Sequence, residues 1–442
     1  MSISIIAHDA SDYAARVEAL LSTLRGGGLT AADERDDLDV RGIVAGIIAR
    51  VTEQGDDAVV ELTRELDRAP VEAATLRVTP EEIAAAHAAA DPTFLALIRE
   101  AAANIRAYQE HIKVVAPADL VRDGRRLGVR YTPIDRVAVY VPGGRALYPS
   151  TVLMTAVPAQ VAGVREIVMA SPPTGGDINP LALALAGELG ITEVYRSGGA
   201  VAMAALALGT ERIGRVDKVV GPGNAFVAEA KRQLFGQVGI DSIAGPSEVL
   251  IVADASADPQ RVAADLLAQA EHDPGSAILA TPDGPFAEAV AAALEDQLAA
   301  LARAAAVRSA LRRYSAIVVT PDLPAACELA NLVATEHLQI QTVDDAACLE
   351  RIRHAGAIFV GPDTPVPVGD YWAGPSHVLP TGGTAKFFSP LSVNDFLKSS
   401  SILAYDAAAL RADGPGIAAF ARREGLDAHA AAVERRLPGT DG

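Results

Sequence analysis

Four short stretches place side chains where they could move protons or hold a cation. In Gln269-Ala270-Glu271-His272-Asp273 a helical run meets a loop, and Gln269 and His272 stand three residues apart. That spacing turns both side chains to one helix face, so an amide oxygen and a neutral imidazole could begin a divalent-metal site. A helix-end cap is the plainer alternative. Glu336-His337 lies between the helical run NLVAT and the apolar run LQIQT. A carboxylate beside an imidazole suits acid–base work. Neighbouring side chains diverge, however, so the pair would serve two separate proton transfers more naturally than one relay; an exposed Glu-His turn is the competing reading. Asp370 and His377 stand seven residues apart in GPDTPVPVGDYWAGPSHVLPTGG, a segment rich enough in turn residues to present ligands. Glu424-Gly-Leu-Asp-Ala-His429 would, on composition alone, be a solvated helix face. All these donors are nitrogen or oxygen, which suggests catalytic-type zinc or manganese and not a structural thiolate knot.

Two glycine turns invite a second kind of ligand. Val141-Pro142-Gly143-Gly144 follows one β-rich run and Gly221-Pro222-Gly223-Asn224 another. The second begins like GxGxxG but has Phe226 where the third glycine belongs, and Asp241 follows Gly221 by 20 residues. A tight structural turn and a cofactor site are about equally good readings. No GxxxxGK[ST] loop occurs.

The elements that must position these residues change character along the chain. Residues 10–115 show helical periodicity, and Thr79-Pro80-Glu81-Glu82 has the form of a capping box. From about residue 135, VAVYV, EIVMA, EVYRS and DKVVG alternate with helical runs. After the break GIDSIAGPSE a second series follows: VLIVAD, AILAT, AIVVT, LQIQT and AIFVG. This alternation predicts an α/β protein with two doubly wound parallel sheets, ligands lying at the carboxyl ends of their strands. A tail with helical patterns near 406–411 and 415–436 ends the chain.

Composition narrows the partners. Of 442 residues, 38 are Lys or Arg and 56 Asp or Glu, a net charge of −18. A phosphate-backbone binder needs a basic face, so nucleic acid is not expected. No apolar run reaches the roughly 18 residues of a membrane span, and MSISIIAHDASDYAARVEALL lacks a signal-peptide pattern. Cys327 and Cys348 fall in helical runs with no CxxC, as small buried hydrophobes in a reducing cytoplasm would.

Together these stretches resemble the histidinol dehydrogenase family. Nine carry the resemblance, in order: VAVYVPGG, YPSTVLMTAVPAQVAGV, GPGNAFVAEAK, AGPSEVLIVAD, DLLAQAEHD, ATEHLQI, GAIFVGPDTPVPVGDY, SHVLPTGGTAKFFSPLSV and EGLDAH. The resemblance implies a cytoplasmic, NAD-dependent enzyme that oxidises L-histidinol to L-histidine through histidinaldehyde, with one Zn2+ per subunit. It implies Gln269, His272, Asp370 and His429 as zinc ligands, His337 as general base and Glu336 as the group that activates water. Ser247, His377 and Glu424 match substrate-binding positions, as do His337 and the zinc ligands; Tyr140 and Asn224 match NAD contacts. It further implies a homodimer whose C-terminal tail brings Glu424 and His429 to the partner's site.

The fold so implied has a helical N-terminal region (1–134), a Rossmann-like domain with the NAD contacts (135–244) and a second with the zinc and catalytic residues (245–382). A small dimerisation tail (383–442) completes it. Two departures stand out: Val201 replaces the glutamine of GGAQ, so an amide contact to NAD is lost, and Ser376 replaces the asparagine of NHVLPT. The rival readings are a dehydrogenase of the same superfamily acting on another small alcohol, a zinc-dependent hydrolase and a non-catalytic binding protein.

Overall fold

The computed structural model describes residues 2–25, 38–143, 149–272 and 275–438. Gly144 of the first glycine turn, and Asp273 beside His272, lie outside them. The chain divides into two compact units, residues 1–112 with 135–395, and residues 113–134 with 396–442.

The larger unit is built on two parallel sheets. One runs Ser4–Ala7, Ala316–Val319, Gly275–Thr281, Ser247–Ala253, His337–Gln341, Ala357–Val360. The other runs Glu193–Arg196, Glu166–Ser171, Arg136–Tyr140, Lys218–Val220, Gly239–Ile240. Numbered from its own first strand, each run reads 3-2-1-4-5, with Ser4–Ala7 added at one edge of the larger sheet. The central strands Gly275–Thr281 and His337–Gln341 are buried on both faces, as parallel strands covered by helices must be. The nine β-rich runs picked out by composition all form strands. Ser4–Ala7 and Gly239–Ile240 are additions, each too short to show a period of its own.

Helices start where side chains can satisfy their first N–H groups. Asp258, Asp283, Asp322 and Asp344 cap the helices Pro259–Ala270, Gly284–Leu298, Leu323–Val333 and Asp345–Arg351. Thr79 and Glu82 form the expected capping box on Pro80–Ala89. Both cysteines are buried and free. Among the described residues no helix is long and apolar enough to cross a membrane.

The smaller unit holds an antiparallel sheet in the order Leu397–Tyr405, Arg125–Pro133, Leu120–Arg122, with helices Ala407–Arg423 and Asp427–Glu434. The stretch 120–133 is therefore strand, although the sequence reading leaves it in a helical region; its long partner comes from more than 260 residues away. Arg125 forks onto Asp413 at 2.7 and 2.6 Å. Leu403 and Phe420 are each 71% exposed, and Ile417, Leu426 and Tyr405 are exposed to a lesser degree.

The Gly221 turn shows why a glycine sits there. Its φ is +117°, and a Cβ would lie 2.2 Å from the Tyr140 carbonyl oxygen. Asp241 holds this turn: one carboxylate oxygen accepts the Gly221 N–H at 2.7 Å and the other meets Lys231 Nζ at 2.6 Å. Lys231 also donates to the Gly221 carbonyl at 2.6 Å. Asp241 is thus a buried structural clasp, which gives the carboxylate 20 residues after Gly221 a structural role. Asp241→Ala strands a buried ammonium and should cost about 3–5 kcal/mol. The drop should appear as a lower thermal midpoint in calorimetry, partly restored when Lys231→Met is added; an unchanged midpoint would refute the clasp.

Candidate active site

Most of the chemically promising residues of the larger unit gather at the amino edge of the six-stranded sheet. This corrects the expectation that ligands there lie at the carboxyl ends of the strands. The reason is local: the site is made from strand starts and from the helix ends that feed them. Ser247 and Glu248 open one strand, His337 opens its neighbour, and Gln269 and His272 come from the end of Pro259–Ala270. Helix carboxyl ends carry partial negative charge and favour cations. Gly275 lets the next strand leave beneath them, since a Cβ there would lie 2.3 Å from the Gln269 carbonyl and 2.5 Å from that of His272. At the end of Leu323–Val333, Ala334 takes the left-handed conformation at φ 53°, a non-glycine strain of about 1–2 kcal/mol, and delivers the chain into Glu336.

The backbone of one residue, Glu248, organises the acid–base pair. The Glu248 N–H donates to Glu336 Oε2 at 2.9 Å, and His337 Nδ1 donates to the Glu248 carbonyl at 3.2 Å. With Nδ1 committed as donor, the neutral ring carries its lone pair on Nε2. That atom is buried without a hydrogen bond and lies 3.5 Å from Asp370 Oδ1. Glu336 Oε2 is 3.5 Å from His337 Nδ1, and Ser247 adds a hydroxyl hydrogen bond to Glu336. Burial alone would lower the His337 pKa, but Glu336 and Asp370 together hold it above the ordinary value. Burial raises Glu336. In Asp370 burial is outweighed by His337, His377 and His272, and the carboxyl stays below its usual range.

Asp370 stands in the short helix Val366–Tyr371. Its carbonyl accepts His377 Nδ1 at 3.2 Å, and His377 Nε2 faces the Thr151 hydroxyl at 3.4 Å. Ser376 is buried and clasped, donating to the Met154 carbonyl and accepting from Val378 N–H, both at 3.1 Å. Its hydroxyl is spent on backbone, so it anchors the His377 segment to helix Pro149–Ala162. Gln269 Nε2 is buried without a hydrogen-bond partner. Burial lowers the His272 pKa against the opposing pull of Asp370. Among the described residues no three His, Cys, Asp or Glu side chains gather as a metal cage. His272 and Asp370 are close enough to shift one another's acidity, and Gln269 belongs to the same helix end as His272.

The expected cofactor residues lie on the five-stranded sheet, where the carboxyl edge is used. Tyr140 ends a strand and is buried, its hydroxyl accepting the Gly199 N–H at 3.0 Å; burial, less that hydrogen bond, raises its pKa to about 12. Asn224 is exposed and caps Ala225–Leu234 through the N–H groups of Phe226 and Val227. Val201 sits in the first turn of Gly199–Leu208, buried in the apolar core around Tyr140. A cleft of about 580 Å³ opens at this edge, lined by Val141, Pro142, Gly143, Pro172 and Asn179 among others. In the smaller unit, Glu424 and His429 share a groove of about 880 Å³ with Ile417, Phe420, Leu426 and Val433.

Sequence reasoning passed over Glu248. Its signal was a carboxylate leading an otherwise apolar strand, SEVLIVA.

Parallel sheets of one strand order, with an imidazole buried among carboxylates, define an α/β enzyme equipped for proton transfer. The chain belongs to the histidinol dehydrogenase family, whose family model matches residues 30–437. It is 51% identical over 420 residues to the histidinol dehydrogenase of Geobacillus kaustophilus (strain HTA426), covering 94% of this chain and 99% of that one. With the histidinol dehydrogenase of Syntrophotalea carbinolica (strain DSM 2380 / NBRC 103641 / GraBd1) it shares 46% identity over 434 residues, 98% and 99% of the two chains. The crystal structure of histidinol dehydrogenase from Elizabethkingia anophelis matches it with a TM-score of 0.90 at 32% identity, over 98% of both chains. The family resemblance carried by the nine stretches is therefore shown, and with it an NAD-dependent dehydrogenase.

Proposed function

We propose that the enzyme oxidises L-histidinol to L-histidine through histidinaldehyde, reducing two NAD, as the last step of histidine biosynthesis in the cytoplasm. The observation that carries the reading is His337: its Nδ1 is fixed on the Glu248 carbonyl, so the lone pair of the neutral ring falls on Nε2, which is buried without a hydrogen bond beside Asp370. In the first oxidation Nε2 takes the alcohol proton as the carbinol carbon gives its hydride to NAD. Water then adds to the aldehyde carbon, giving one proton to Glu336 while the carbonyl oxygen takes the proton held on His337 Nε2, and the hydrate forms. The hydrate loses a second hydride to NAD as His337 Nε2 takes a hydroxyl proton, and the resulting carboxylic acid gives up its remaining proton to solvent and leaves as the carboxylate. NAD is the hydride acceptor in both steps, held at the carboxyl edge of the five-stranded sheet near Tyr140 and Asn224.

Gln269, His272 and Asp370 would hold zinc with His429, and the metal's fixed charge binds and orients the amino and imidazole nitrogens of the substrate. The donor set fits: an imidazole and a carboxylate suit zinc, and the carbonyl oxygen of the buried Gln269 amide adds a neutral donor. Ser247, His377 and Glu424 complete the substrate site. We read the two sheets as Rossmann-like domains and the C-terminal tail as a dimerisation unit that lends Glu424 and His429 to the other subunit of a homodimer. The exposed apolar groove around those two residues supports this.

With zinc bound, L-histidinol and NAD should yield two NADH per histidine, and chelation should abolish turnover until zinc is returned. A zinc-loaded enzyme inert toward L-histidinol would overturn the reading. His337→Asn should lower alcohol oxidation by about 10²–10⁴-fold, whereas Glu336→Gln should slow oxidation of added histidinaldehyde more than that of the alcohol. Equal loss in both half-reactions would refute the division of roles. Mixing His429→Ala chains with His272→Ala chains should regenerate activity, because a mixed dimer contains one whole site. No recovery in proven heterodimers would refute ligation across subunits.

A further inference from the structure

Strand Ser247–Ala253 is apolar from Val249 onward, yet Glu248 is only 2% exposed. The register that pairs His337 with Val249 sets Glu248 opposite Glu336. Alternation along the strands puts Glu248 on the face of Leu250 and Val252, and Glu336 on the face of Leu338 and Ile340, and these four share one core. Two buried carboxyl groups are thus cross-strand neighbours on one sheet face. Two neighbouring buried carboxyls repel when both are ionised, which favours the state in which one keeps a proton.

The surroundings decide which. Glu336 has the Glu248 N–H at 2.9 Å, the Ser247 hydroxyl, and His337 Nδ1 at 3.5 Å. The Glu248 carboxyl has backbone N–H groups only: Gly382 reaches Oε1 at 3.0 Å, and Glu336 lies within reach. Its Oε2 is buried without a hydrogen bond. The charged groups that face it are Glu336 and His337; burial first, and Glu336 second, push it up to about 8. Gly382 ends the segment that carries His377, and the preceding Thr381 hydroxyl receives the Gly245 N–H, so the Glu248 side chain also ties that segment to the strand.

We propose that Glu248 is a positioning residue for hydration of the aldehyde: the protonated member of a carboxyl pair, it leaves Glu336 ionised to receive the proton of water and clasps Gly382. This rests on the reading of Glu336 as the water-activating group. Glutamine reproduces a protonated glutamate in shape and charge, and alanine does not. In the zinc-loaded enzyme, Glu248→Ala should lower kcat for added histidinaldehyde by about tenfold with a smaller loss for the alcohol. Glu248→Gln should restore most of that loss and leave the acid limb of the pH–rate profile in place.

An ionised Glu248 would behave differently: its replacement by glutamine would remove a negative charge beside Glu336 and move the acid limb to lower pH. That displacement, or a Gln variant as impaired as the Ala variant, or no effect of either, would overturn the proposal. Glu336→Gln is assayed alongside. If it fails to impair aldehyde oxidation selectively, the role of Glu336 falls; if it does impair it while the Glu248 variants show no such selectivity, only the proposal for Glu248 falls. Thermal midpoints identify an Ala variant that misfolds, and the Gln variant then decides.

Discussion

The catalytic end of the larger unit hangs on the parallel pairing of Ser247–Ala253 with His337–Gln341. At the sheet edge the N–H and the carbonyl of Glu248, the second residue of one strand, go to Glu336 and His337, the residues at the start of the other. A slip of one residue would exchange the faces of every side chain on the strand. It would carry Glu336 off the Glu248 amide and free His337 to adopt either tautomer. The buried apolar residues beneath, Leu250 and Val252 on one side, Val249 and Ile251 on the other, are what forbid the slip. Core packing and proton chemistry are therefore set by the same register.

A second constraint comes from the direction of the helices. In a βαβ repeat every helix starts at the carboxyl edge of the sheet and finishes at the amino edge, so the two edges differ in electrostatic sign. On the five-stranded sheet the edge rich in helix starts bears the glycine turns and the cleft, surroundings favourable to an anionic dinucleotide. On the six-stranded sheet the edge rich in helix ends bears His272, His337 and the carboxylates, surroundings favourable to a cation. One strand order, used twice, thus offers two ligands of opposite charge without any change of topology.

The strand series was legible because parallel strands buried on both faces are short, β-branched and bounded by turns. AILAT and LQIQT needed no other information. The antiparallel pair of the smaller unit was not legible: Arg125–Pro133 is half exposed and polar, and its pairing with Leu397–Tyr405 is decided by contacts distant in sequence. The candidate site residues drew notice through the scarcity of histidine and through motif order. Which edge of the sheet they occupy was not, since spacing along a helix says nothing about the end from which the next strand departs. Glu248 escaped notice because a carboxylate next to a glycine-proline turn looks solvated, and only the cross-strand register shows it buried. Ser376 and Asp241 also gained roles only from the structure: Ser376 is bonded to backbone, and Asp241 to backbone and Lys231.

The burial of Glu336 and His337, 7% and 4% exposed, has a consequence beyond tuning acidity. An aldehyde set free in a cell condenses with lysine amines. With Glu336 and His337 in the proton-transfer roles proposed for them, a site walled off from bulk solvent can pass the aldehyde from one to the other without releasing it. Containment of a reactive metabolite is, on this view, what the enclosed architecture achieves.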